Sequence, residues 1–434
     1  MEAKTLKGFR DYLPAVMVPR QQMIRAIEAT FERQGFVPLQ TPALEYKETL
    51  TGKYGEEGDK LLYSFRDHGE RDVALRYDLT VPLARVVAQH RNELQLPFRR
   101  YQVAPVWRAD KPQRGRFREF FQCDADIAGA NTAQADAEIL VTGLAVLQAL
   151  GVQGAVIDLN HRDVLFGALQ AFGVTDLSAQ IACIRGIDKL DKMAAADIAQ
   201  EVATSAALPI EVATQIVAWF NSPQDIASVQ AFAPPAAVAL TRMDEVMTLV
   251  RCSGIPGEVR FRPAIARGLD YYTGIIYETR LTDEKVKGFG AVMSGGRYDG
   301  LIGSFGREQV PAVGISLGLD RLLAALQELG LLAPVIGPPV YATVFTETAG
   351  LTFAQVQQLR QAGVNAEIDC LGGKLGKQLE RAEKRGARLA LILGATEAEQ
   401  GLVLLKDLAS REQFSLPFAE LTQAVLSRLG PAAK

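Results

Sequence analysis

The chain has 434 residues, of which 48% are hydrophobic and 22% are charged, and its formal net charge is -3. These values are typical of a globular protein with about two or three domains. A weakly acidic chain has no overall attraction for nucleic acid. A protein dedicated to coating nucleic acid is therefore disfavoured, and any RNA contact must use local basic patches.

The cysteine pattern and the N-terminus indicate the compartment. The four cysteines are widely spaced, no CxxC pair occurs, and only three histidines are present. This pattern disfavours a zinc site and a disulfide framework, and it favours reduced thiols. The N-terminus is charged without an apolar signal core, and no apolar run reaches membrane-spanning length. We therefore expect a cytoplasmic protein without a membrane anchor.

The first predicted elements are a helix, an edge strand and a strand pair. Apolar residues recur at helical spacing over residues 23–31, and residues 36–44 read as a strand. Two prolines confine that strand to an edge or an interface. Residues 60–78 indicate two short strands, and a helix begins near Thr80. Asp78 either caps this helix or binds a ligand, and the sequence leaves both interpretations open.

Residues 99–126 predict an antiparallel strand pair joined by a basic loop, with Pro and Gly as turn residues. The basic side chains of this hairpin are Arg108, Lys111, Arg114, Arg116 and Arg118. Arginine presents a planar fork of donors that fits phosphate oxygens, so this loop suits a bound polyphosphate. The alternative is a solvated hairpin with scattered charge. The aromatic flanks and the acidic end at Asp124 and Asp126 favour a lined pocket.

A helix over residues 132–150, a strand over 156–160 and a helix over 164–172 follow. From residue 174 to residue 249, alanine becomes frequent, glycine scarce, and helical periodicity dominates. This composition predicts a helical insertion in the main domain. The alternative is that it continues the core fold.

Residues 267–274 have the sequence RGLDYYTG and continue into a strand. Glycine lets the backbone approach a ligand closely, and paired tyrosines form walls with polar tips. The adjacent arginine indicates an anion. The stretch therefore predicts a small-molecule pocket, and the alternative is core packing of the tyrosines.

Residues 294–300 predict a glycine-rich turn, which leads to a strand over 313–318 and a helix from about Leu319. By itself this could be an ordinary strand-to-helix connection. A linker over 333–339 then leads to alternating strands and helices, which predict a compact α/β domain. The predicted strands are 340–345, 364–368, 389–393 and 402–406, and the predicted helices are 353–362, 375–385 and 418–429. One helix is basic, and from sequence alone a solvated charged face is the favoured interpretation. Its basic residues are Lys374, Lys377, Arg381, Lys384 and Arg385.

These stretches together resemble the signature motifs of the histidyl-tRNA synthetases, which are class II aminoacyl-tRNA synthetases. VWRADKPQRGRFREFFQCDADIAG (residues 106–129) looks like motif 2, and RGLDYYTG resembles the histidine-binding motif of this family. The helix and strand around Pro42 are similar to motif 1, which builds a dimer interface. The helix that carries Arg321 is similar to motif 3. RYDLT and QCDADIAG resemble the archaeal and eukaryotic branch.

The resemblance covers nearly the whole chain, so it implies a fold and an assembly. Residues 1–173 and 250–332 would form an α+β class II catalytic domain, an antiparallel sheet with flanking helices. Residues 174–249 would form a helical insertion lying against the acceptor arm of the tRNA. Residues 333–434 would form a C-terminal α/β anticodon-binding domain. The family also implies a cytoplasmic homodimer.

The implied reaction is ATP-dependent activation of L-histidine to histidyl-adenylate, followed by transfer to the 3′ end of histidine tRNA, with Mg²⁺ on the ATP. A free α-carboxylate has a pKa of about 3.5 and needs no general base. Catalysis then consists of positioning and charge stabilisation at the α-phosphate. One departure from motif 2 is Asp110, which stands where glutamate is usual.

The resemblance also implies residue roles. The catalytic residues would be Arg108 and Arg267, and the ATP-binding residues Arg108, Arg116 and Arg321. The histidine-binding residues would be Asp78, Thr80, Gln122, Asp126, Arg267, Tyr271, Tyr272 and Tyr298. No side chain is predicted as a metal ligand.

Two alternatives share this fold without its chemistry. The regulatory subunit of ATP phosphoribosyltransferase is a paralogue that binds histidine as an allosteric signal. It generally lacks the C-terminal domain and loses the phosphate-binding arginines, both of which this chain retains. A tRNA-binding or sensor module without catalysis is disfavoured by the same arginines.

Overall fold

The computed structural model describes residues 2–111, 117–266, 271–332 and 337–430. The chain divides into two units, one formed by residues 1–11 and 20–333 and the other by residues 12–19 and 334–434. Each unit has its own sheet. None of the helices in the described residues is long and apolar enough to cross a membrane.

The strands of the described residues have the following bounds: β1 (Val37–Pro38), β2 (Leu44–Tyr46), β3 (Ser64–Arg66), β4 (Asp72–Leu75), β5 (Phe98–Trp107), β6 (Glu119–Ala128), β7 (Ala155–His161), β8 (Glu258–Phe261), β9 (Ile275–Leu281), β10 (Met293–Arg297), β11 (Ala312–Gly318), β12 (Val340–Ala342), β13 (Ala366–Ile368), β14 (Leu389–Ile392), β15 (Leu402–Asp407) and β16 (Gln413–Pro417).

The α-helices have the following bounds: α1 (Pro14–Arg33), α2 (Lys47–Leu50), α3 (Gly55–Asp59), α4 (Thr80–Gln89), α5 (Ala133–Ala149), α6 (Arg162–Ala171), α7 (Leu177–Ile187), α8 (Ala195–Ser205), α9 (Ile210–Asn221), α10 (Ile226–Phe232), α11 (Ala237–Cys252), α12 (Leu319–Glu328), α13 (Ala349–Gln361), α14 (Leu375–Lys384), α15 (Ala395–Glu399) and α16 (Leu421–Leu429). Short 3-10 helices span Pro234–Ala236, Glu284–Phe289, Ile302–Phe305, Thr346–Thr348 and Phe418–Glu420.

The larger unit is organised around a sheet with the strand order β1-β5-β6-β11-β10-β9-β7-β8. The pairs at its two edges, β1 with β5 and β7 with β8, are parallel, and the pairs between them are antiparallel. A smaller sheet in the same unit has the order β2-β4-β3. The helices α7 to α11 follow one another between β7 and β8.

The central hairpin places polar side chains on one face of the large sheet. Strands β5 and β6 pair along ten residues each, and in this register Arg100 lies opposite Asp126. Successive side chains of a strand alternate between faces, so Gln122, Asp124 and Asp126 share one face. On the other face, Gly143 lets α5 lie close to Ile315, because a Cβ there would be 2.5 Å from Ile315 Cδ1. One face therefore packs on a helix and the other is left for a site.

The second unit contains a five-stranded sheet with the order β13-β12-β14-β15-β16. β12 pairs in parallel with β13 and β14, and the remaining pairs are antiparallel. Its core contains apolar side chains such as Leu389, Leu391 and Val403. The alternation of apolar strands and amphipathic helices is what predicts such a layered domain.

Most predicted elements are confirmed. The 99–126 hairpin corresponds to β5 and β6, the helix near Thr80 begins at that residue, and the segment 174–249 is helical. The single strand over residues 36–44 was wrong, since the structure has β1 and β2 separated by a break that contains Pro42. Proline cannot donate a ladder hydrogen bond, which accounts for the break. Strands β8, β10 and β16 and the short helices α2, α3 and α15 were missed. The turn predicted over residues 294–300 was wrong in its first part, because β10 contains Gly295 and Gly296, whose missing side chains leave room for Tyr277 and Tyr272.

The basic helix predicted in the C-terminal region is α14, and several of its charges are paired. Arg381 forms an ion pair with Asp369 at 2.7 Å, and Lys384 pairs with Glu380 at 2.6 Å.

The four cysteines are free thiols, with Cys123 and Cys183 buried and Cys252 and Cys370 exposed.

Candidate active site

A cavity of about 270 Å³ opens on the polar face of the large sheet. The start of α4, the strands β6, β10 and β11, and the start of α12 all contribute to its wall. The lining residues are Asp78, Thr80, Arg108, Asp110, Phe117, Phe120, Gln122, Tyr271, Tyr272, Ala291, Val292, Ser294, Ser316, Gly318, Asp320 and Arg321.

Asp78 forms the most densely hydrogen-bonded corner of the cavity. Its Oδ1 accepts hydrogen bonds from Tyr54 Oη at 3.0 Å and from the Val81 backbone N–H at 3.0 Å. Its Oδ2 accepts one from Tyr271 Oη at 3.3 Å. The residue that precedes α4 directly is Leu79, but the bond from Val81 shows that Asp78 satisfies a backbone N–H in the first turn, as a capping side chain does. The same carboxylate lines the cavity, so capping leaves the ligand role open.

Burial raises the pKa of Asp78, and the hydrogen bond from Val81, the positive charge of Arg108 and the two tyrosine hydroxyls partly oppose that effect. The pKa of Tyr54 is raised well above its ordinary value by burial and by the negative charge of Asp78. The tyrosines therefore stay neutral and act as hydrogen-bond donors to the carboxylate.

A polar row formed by Gln122, Ser316 and Asp124 crosses two strands beside this corner. The Nε2 amide of Gln122 donates to Ser316 Oγ at 2.5 Å, and the Ser316 hydroxyl donates to Asp124. This orientation leaves Gln122 Oε1 and Asp124 Oδ1 as buried acceptors without a donor among the described residues. Burial raises the pKa of Asp124 to about 8, and the charge of Asp126 also raises it, whereas Arg100 lowers it.

Asp126 lies behind the cavity wall and is the centre of a second cluster. Its Oδ1 accepts a hydrogen bond from Tyr298 Oη, and its Oδ2 forms an ion pair with Arg100 Nη2 at 2.8 Å. Arg100 is fully buried and donates to the Leu79 carbonyl at 3.1 Å. Burial raises the pKa of Asp126, and the charge of Arg100 lowers it. The Tyr298 ring packs edge-on against Tyr271, with ring centroids 6.0 Å apart.

Two arginines line the cavity, and both follow strands that end beside the start of β6. Arg108 donates from Nε to the Tyr77 carbonyl at 3.0 Å, and its guanidinium lies 4.2 Å from the Tyr77 ring centroid and 5.1 Å from that of Phe120. Arg321 donates from Nη1 to the Ala291 carbonyl at 2.6 Å. Both therefore have fixed stems on a wall of the cavity, an arrangement suited to anionic oxygens.

Asp320, beside Arg321, ties the start of α12 to the rest of the unit. Its carboxylate accepts from the Phe121 backbone N–H at 3.0 Å and from Arg10 Nη2 at 2.7 Å. Arg20 lies 3.7 Å from the same carboxylate. This contact fixes the position of Arg321 relative to strand β6.

Two glycines make room for the polar side chains of the site. Gly296 and Gly314 are directly paired on β10 and β11. A Cβ on Gly314 would lie 1.7 Å from Asp126 Oδ1, and a Cβ on Gly296 would lie 2.7 Å from Tyr272 Cδ1. Any other residue at position 314 would displace the Asp126 carboxylate.

The structure brings most of the sequence-predicted site residues together. Those that line the cavity are Asp78, Thr80, Arg108, Gln122, Tyr271, Tyr272 and Arg321. Asp126 and Tyr298 bond to each other and are not among the lining residues. Arg116 and Arg267 lie outside the described residues.

Sequence reasoning missed Arg100, Ser316 and Asp320 as parts of the site. Arg100 and Asp126 are opposite each other in the hairpin register, so pairing the two strands in sequence could have found that ion pair. Nothing in the sequence relates Asp320 to Arg10. In the part of the chain that the structure describes, no group of three or more His, Cys, Asp or Glu side chains could bind a metal ion.

The arrangement suits a ligand that carries both signs of charge. The lining of the cavity includes carboxylates, a buried acceptor without a donor among the described residues, and two arginines. An ammonium group would satisfy the acceptors, and phosphate or carboxylate oxygens would satisfy the arginines. The aromatic walls can cover a flat ring.

Comparison with known proteins gives a consistent result over the whole chain. Residues 8–322 match the family model described as histidyl-tRNA synthetase, and residues 347–428 match the model described as anticodon binding domain. The crystal structure of histidyl-tRNA synthetase from Nostoc sp. is similar, with a TM-score of 0.85, 32% identity, and coverage of 99% of this chain and 100% of that chain. The predicted fold class is thereby confirmed.

Curated relatives agree with this match. A protein named histidine–tRNA ligase from Rhodopirellula baltica is 42% identical over 429 residues, covering 96% of each chain. One of the same name from Wolinella succinogenes is 38% identical, covering 94% of this chain and 95% of the relative. The chain therefore belongs to the histidyl-tRNA synthetase family.

Proposed function

We propose that this protein is a histidine–tRNA ligase. It activates L-histidine with ATP to give histidyl-adenylate and pyrophosphate, and it then transfers the histidyl group to the 3′ end of histidine tRNA. The observation that carries the proposal is one cavity that is lined by Arg108 and Arg321 as well as by Asp78 and Gln122. The near full-length similarity to chains named histidine–tRNA ligase supports the same activity.

The amino group of histidine would bind at the acceptor-rich corner. Asp78 supplies a carboxylate, Gln122 supplies an Oε1 without a donor, and Thr80 supplies a hydroxyl on the same wall. An ammonium group has three N–H donors, which matches three acceptors. Burial raises the pKa of Asp78, and the positive charge of the ammonium group would offset this effect by stabilising the ionised carboxylate.

The imidazole would bind in the aromatic part of the pocket. Tyr271 and Tyr272 line the cavity, and behind them Tyr298 donates to Asp126. We assign the recognition of the ring nitrogens to Asp126 and the closing of the pocket to the three tyrosines. A site that hydrogen-bonds a polar side chain rejects apolar analogues strongly, because its own polar groups would be left unpaired.

ATP enters as the second substrate, with Mg²⁺ on its phosphates. Arg108 and Arg267 would stabilise the charge that develops at the α-phosphate, and Arg116 and Arg321 would bind the outer phosphates. The histidine carboxylate oxygen attacks the α-phosphorus, the new bond forms the acyl-phosphate, and the bond to the leaving pyrophosphate breaks. No proton has to be removed, so the arginines act by positioning and electrostatic stabilisation.

We assign residues 1–173 and 250–332 to catalysis, residues 174–249 to a helical insertion, and residues 333–434 to anticodon binding. Residues 347–428 match the anticodon binding domain model, which supports the last assignment. We further propose a cytoplasmic homodimer whose interface includes the chain around Pro42. Exposed apolar side chains near that residue support the interface, namely Val37, Leu44, Tyr46 and Phe65.

Amino-acid-dependent ATP–pyrophosphate exchange tests the activity. We expect exchange with histidine alone among the amino acids, and a loss of about 100-fold or more in Arg108→Ala, because such preorganised donors are typically worth that much. Arg267→Ala should behave similarly. Arg71→Ala is the matched control, because this exposed arginine pairs with Asp67 away from the cavity lining.

One result of the exchange assay would favour a histidine-sensing protein over a ligase. A structure described as an ATP phosphoribosyltransferase regulatory subunit/histidyl-tRNA synthetase from Bacillus halodurans shares the fold, with a TM-score of 0.73 at 20% identity. Histidine binding without any exchange would favour such a histidine-sensing role instead.

A further inference from the structure

Asp136 is a buried carboxylate, 1% exposed, that joins two arginines from distant parts of the chain. It lies in the first turn of α5 and is not among the residues that line the cavity. Its Oδ1 accepts from Arg297 Nε at 3.0 Å and from Arg297 Nη2 at 2.5 Å. Its Oδ2 accepts from Arg242 Nε at 2.9 Å, and Arg242 Nη2 lies 2.8 Å from the carboxylate.

Arg297 in turn anchors the chain on both sides of Tyr298. Its Nη1 donates to the Ala130 carbonyl and to Asp299 Oδ1, each at 3.0 Å. Its own carbonyl accepts from the Thr273 backbone N–H at 2.8 Å. The Asp299 backbone N–H donates to Thr273 Oγ1 at 2.9 Å. The Arg297 side chain therefore fixes Asp299, and the backbones of Arg297 and Asp299 in turn hold the chain at Thr273.

Both anchored segments carry pocket residues. Tyr298 lies between Arg297 and Asp299 and donates to Asp126, and Tyr272 directly precedes Thr273. Gly274 lies against the Arg297 stem so closely that a Cβ there would be 2.8 Å from Arg297 Cδ. A shift of the Arg297 side chain would consequently move the tyrosines that we assign to the imidazole.

Arg242 belongs to a different part of the chain. It lies on α11, the last helix of the segment 174–249, and its side chain is 24% exposed. Because one carboxylate accepts from both arginines, the orientation of the carboxylate depends on both. Removing Arg242 would leave Asp136 Oδ2 buried without its donor, and the carboxylate would then reorient or draw Arg297 with it.

We propose that Asp136 and Arg242 are positioning residues for the amino-acid pocket, and that the chain of contacts Arg242–Asp136–Arg297 couples helix α11 to Tyr298 and Tyr272. This inference rests on the proposed function for the identity of the amino acid. The coupling makes the affinity for histidine depend on the helical segment, although no residue of that segment lines the cavity among the described residues.

The test compares Arg242→Met and Arg242→Lys with the wild type in ATP–pyrophosphate exchange, with histidine and ATP varied separately. For Arg242→Met we expect the KM for histidine to rise about tenfold, which lies within the range seen when one member of a coupled network is removed. We expect the KM for ATP to stay within about twofold, and Arg242→Lys to recover part of the loss because it keeps the charge. A general loss of folding would lower the active fraction and leave both KM values unchanged.

Arg251→Met is the matched control on the same helix. Arg251 is exposed, and it donates to Thr248 Oγ1 at 2.9 Å on the helix surface. It should leave both KM values unchanged. An unchanged KM for histidine in Arg242→Met, or equal increases for histidine and ATP, would overturn the proposed coupling.

A double-mutant cycle sharpens the result. Asp136→Asn alone should raise the KM for histidine, and adding Arg242→Met to it should have little further effect because both act through one contact. Fully additive effects would contradict the proposal. If the wild type showed no exchange, the proposed function would fail. The inference would then be decided separately by calorimetry, which measures the Kd for histidine of each variant relative to the wild type.

Discussion

Two buried aspartates, Asp369 in the second unit and Asp124 in the first, use their carboxylates in opposite ways. Asp369 accepts four hydrogen bonds from protein donors. Its Oδ1 accepts from the backbone N–H groups of Leu371 and Gly372, at 2.8 and 2.7 Å. Its Oδ2 accepts from Tyr341 Oη and Arg381 Nε, each at 2.7 Å. Burial opposes ionisation, but these donors together lower the pKa of Asp369.

Asp124 is the more deeply buried of the two, 1% exposed against 4% for Asp369, and it has far fewer donors. Ser316 donates to it, and its Oδ1 has no donor among the described residues. Burial accordingly raises the pKa of Asp124 to about 8. The difference shows that a carboxylate with a full set of protein donors stabilises the folded structure. A carboxylate short of donors is found beside a cavity, where a ligand can supply what is missing.

The largest effect is expected from removing the Asp369 carboxylate, which accepts four hydrogen bonds from the protein. Asp369→Ala should destabilise the second unit by about 3 kcal/mol, because it leaves two backbone N–H groups and the buried Tyr341 hydroxyl without their acceptor. Hydrogen–deuterium exchange over β14 and α14 measures this directly. Glu380→Ala, which removes an exposed partner of Lys384, is the control. Unchanged protection in Asp369→Ala would contradict the structural role.

Asp78→Asn tests the acceptor-rich corner of the cavity. Asparagine keeps an Oδ1 for Tyr54 and Val81 but removes the charge. We expect the KM for histidine to rise about 30-fold, corresponding to about 2 kcal/mol for a charge-assisted hydrogen bond. The KM for ATP should change little. An equal change in both constants would show that Asp78 acts through the fold of α4 and not through the amino group.

The pH dependence of stability separates the two kinds of aspartate. The folded pKa of Asp124 lies above its unfolded value, so its contribution to stability is fully present below about pH 4 and is lost as the pH rises through about 8. Asp369 has the opposite sign, since its lowered pKa gives stability that is lost only as the pH falls. Asp124→Asn should therefore unfold at a higher temperature than the wild type near pH 8, by roughly 2 to 4 °C.

Thermal unfolding between pH 5 and 8.5 measures this difference. The gap between Asp124→Asn and the wild type should widen as the pH rises. A gap that stays constant over this range would mean that the Asp124 carboxyl does not titrate there. Asp67→Asn is the control, because Asp67 lies in an exposed turn.

The smallest effects distinguish two tyrosines that each donate to a buried carboxylate. Tyr341→Phe removes the donor to Asp369 and should lower the stability of the second unit by about 1 kcal/mol. Tyr298→Phe removes the donor to Asp126. It should raise the KM for histidine about fivefold, because a lost hydrogen bond of about 1 kcal/mol corresponds to that change in affinity. If Tyr298→Phe changed only stability, our assignment of this residue to the pocket would be wrong.

The sequence predicts local features of this fold well. Strands β5 and β6 follow from apolar residues on both sides of a Pro- and Gly-containing loop. Helix α4 follows from Asp78 and the apolar spacing beyond it. The stretch over residues 36–44 fails because prolines interrupt the ladder, and a strand-like composition does not reveal where pairing stops.

The chemistry of the site was predictable only in part. The motif resemblance pointed to seven residues that line the cavity, because motifs preserve residue identity. The contacts between Asp320 and Arg10, or between Asp136 and Arg242, join residues far apart in the chain. Such pairs depend on how the elements pack, and no local pattern encodes them. The shortage of donors at Asp124 is likewise a property of the packed structure.

The facing glycines at positions 296 and 314 have a consequence for how selectivity could change. The Asp126 carboxylate and the Tyr272 ring occupy the space that their two side chains would otherwise fill. These two groups can therefore lie against the backbone of the sheet, where an ordinary strand would carry side chains of its own. A single added carbon would displace the Asp126 carboxylate at position 314 or the Tyr272 ring at position 296, and we assign both groups to the imidazole. The selectivity for the amino acid thus depends partly on two residues that have no side chain, because they leave room for the groups that would contact it.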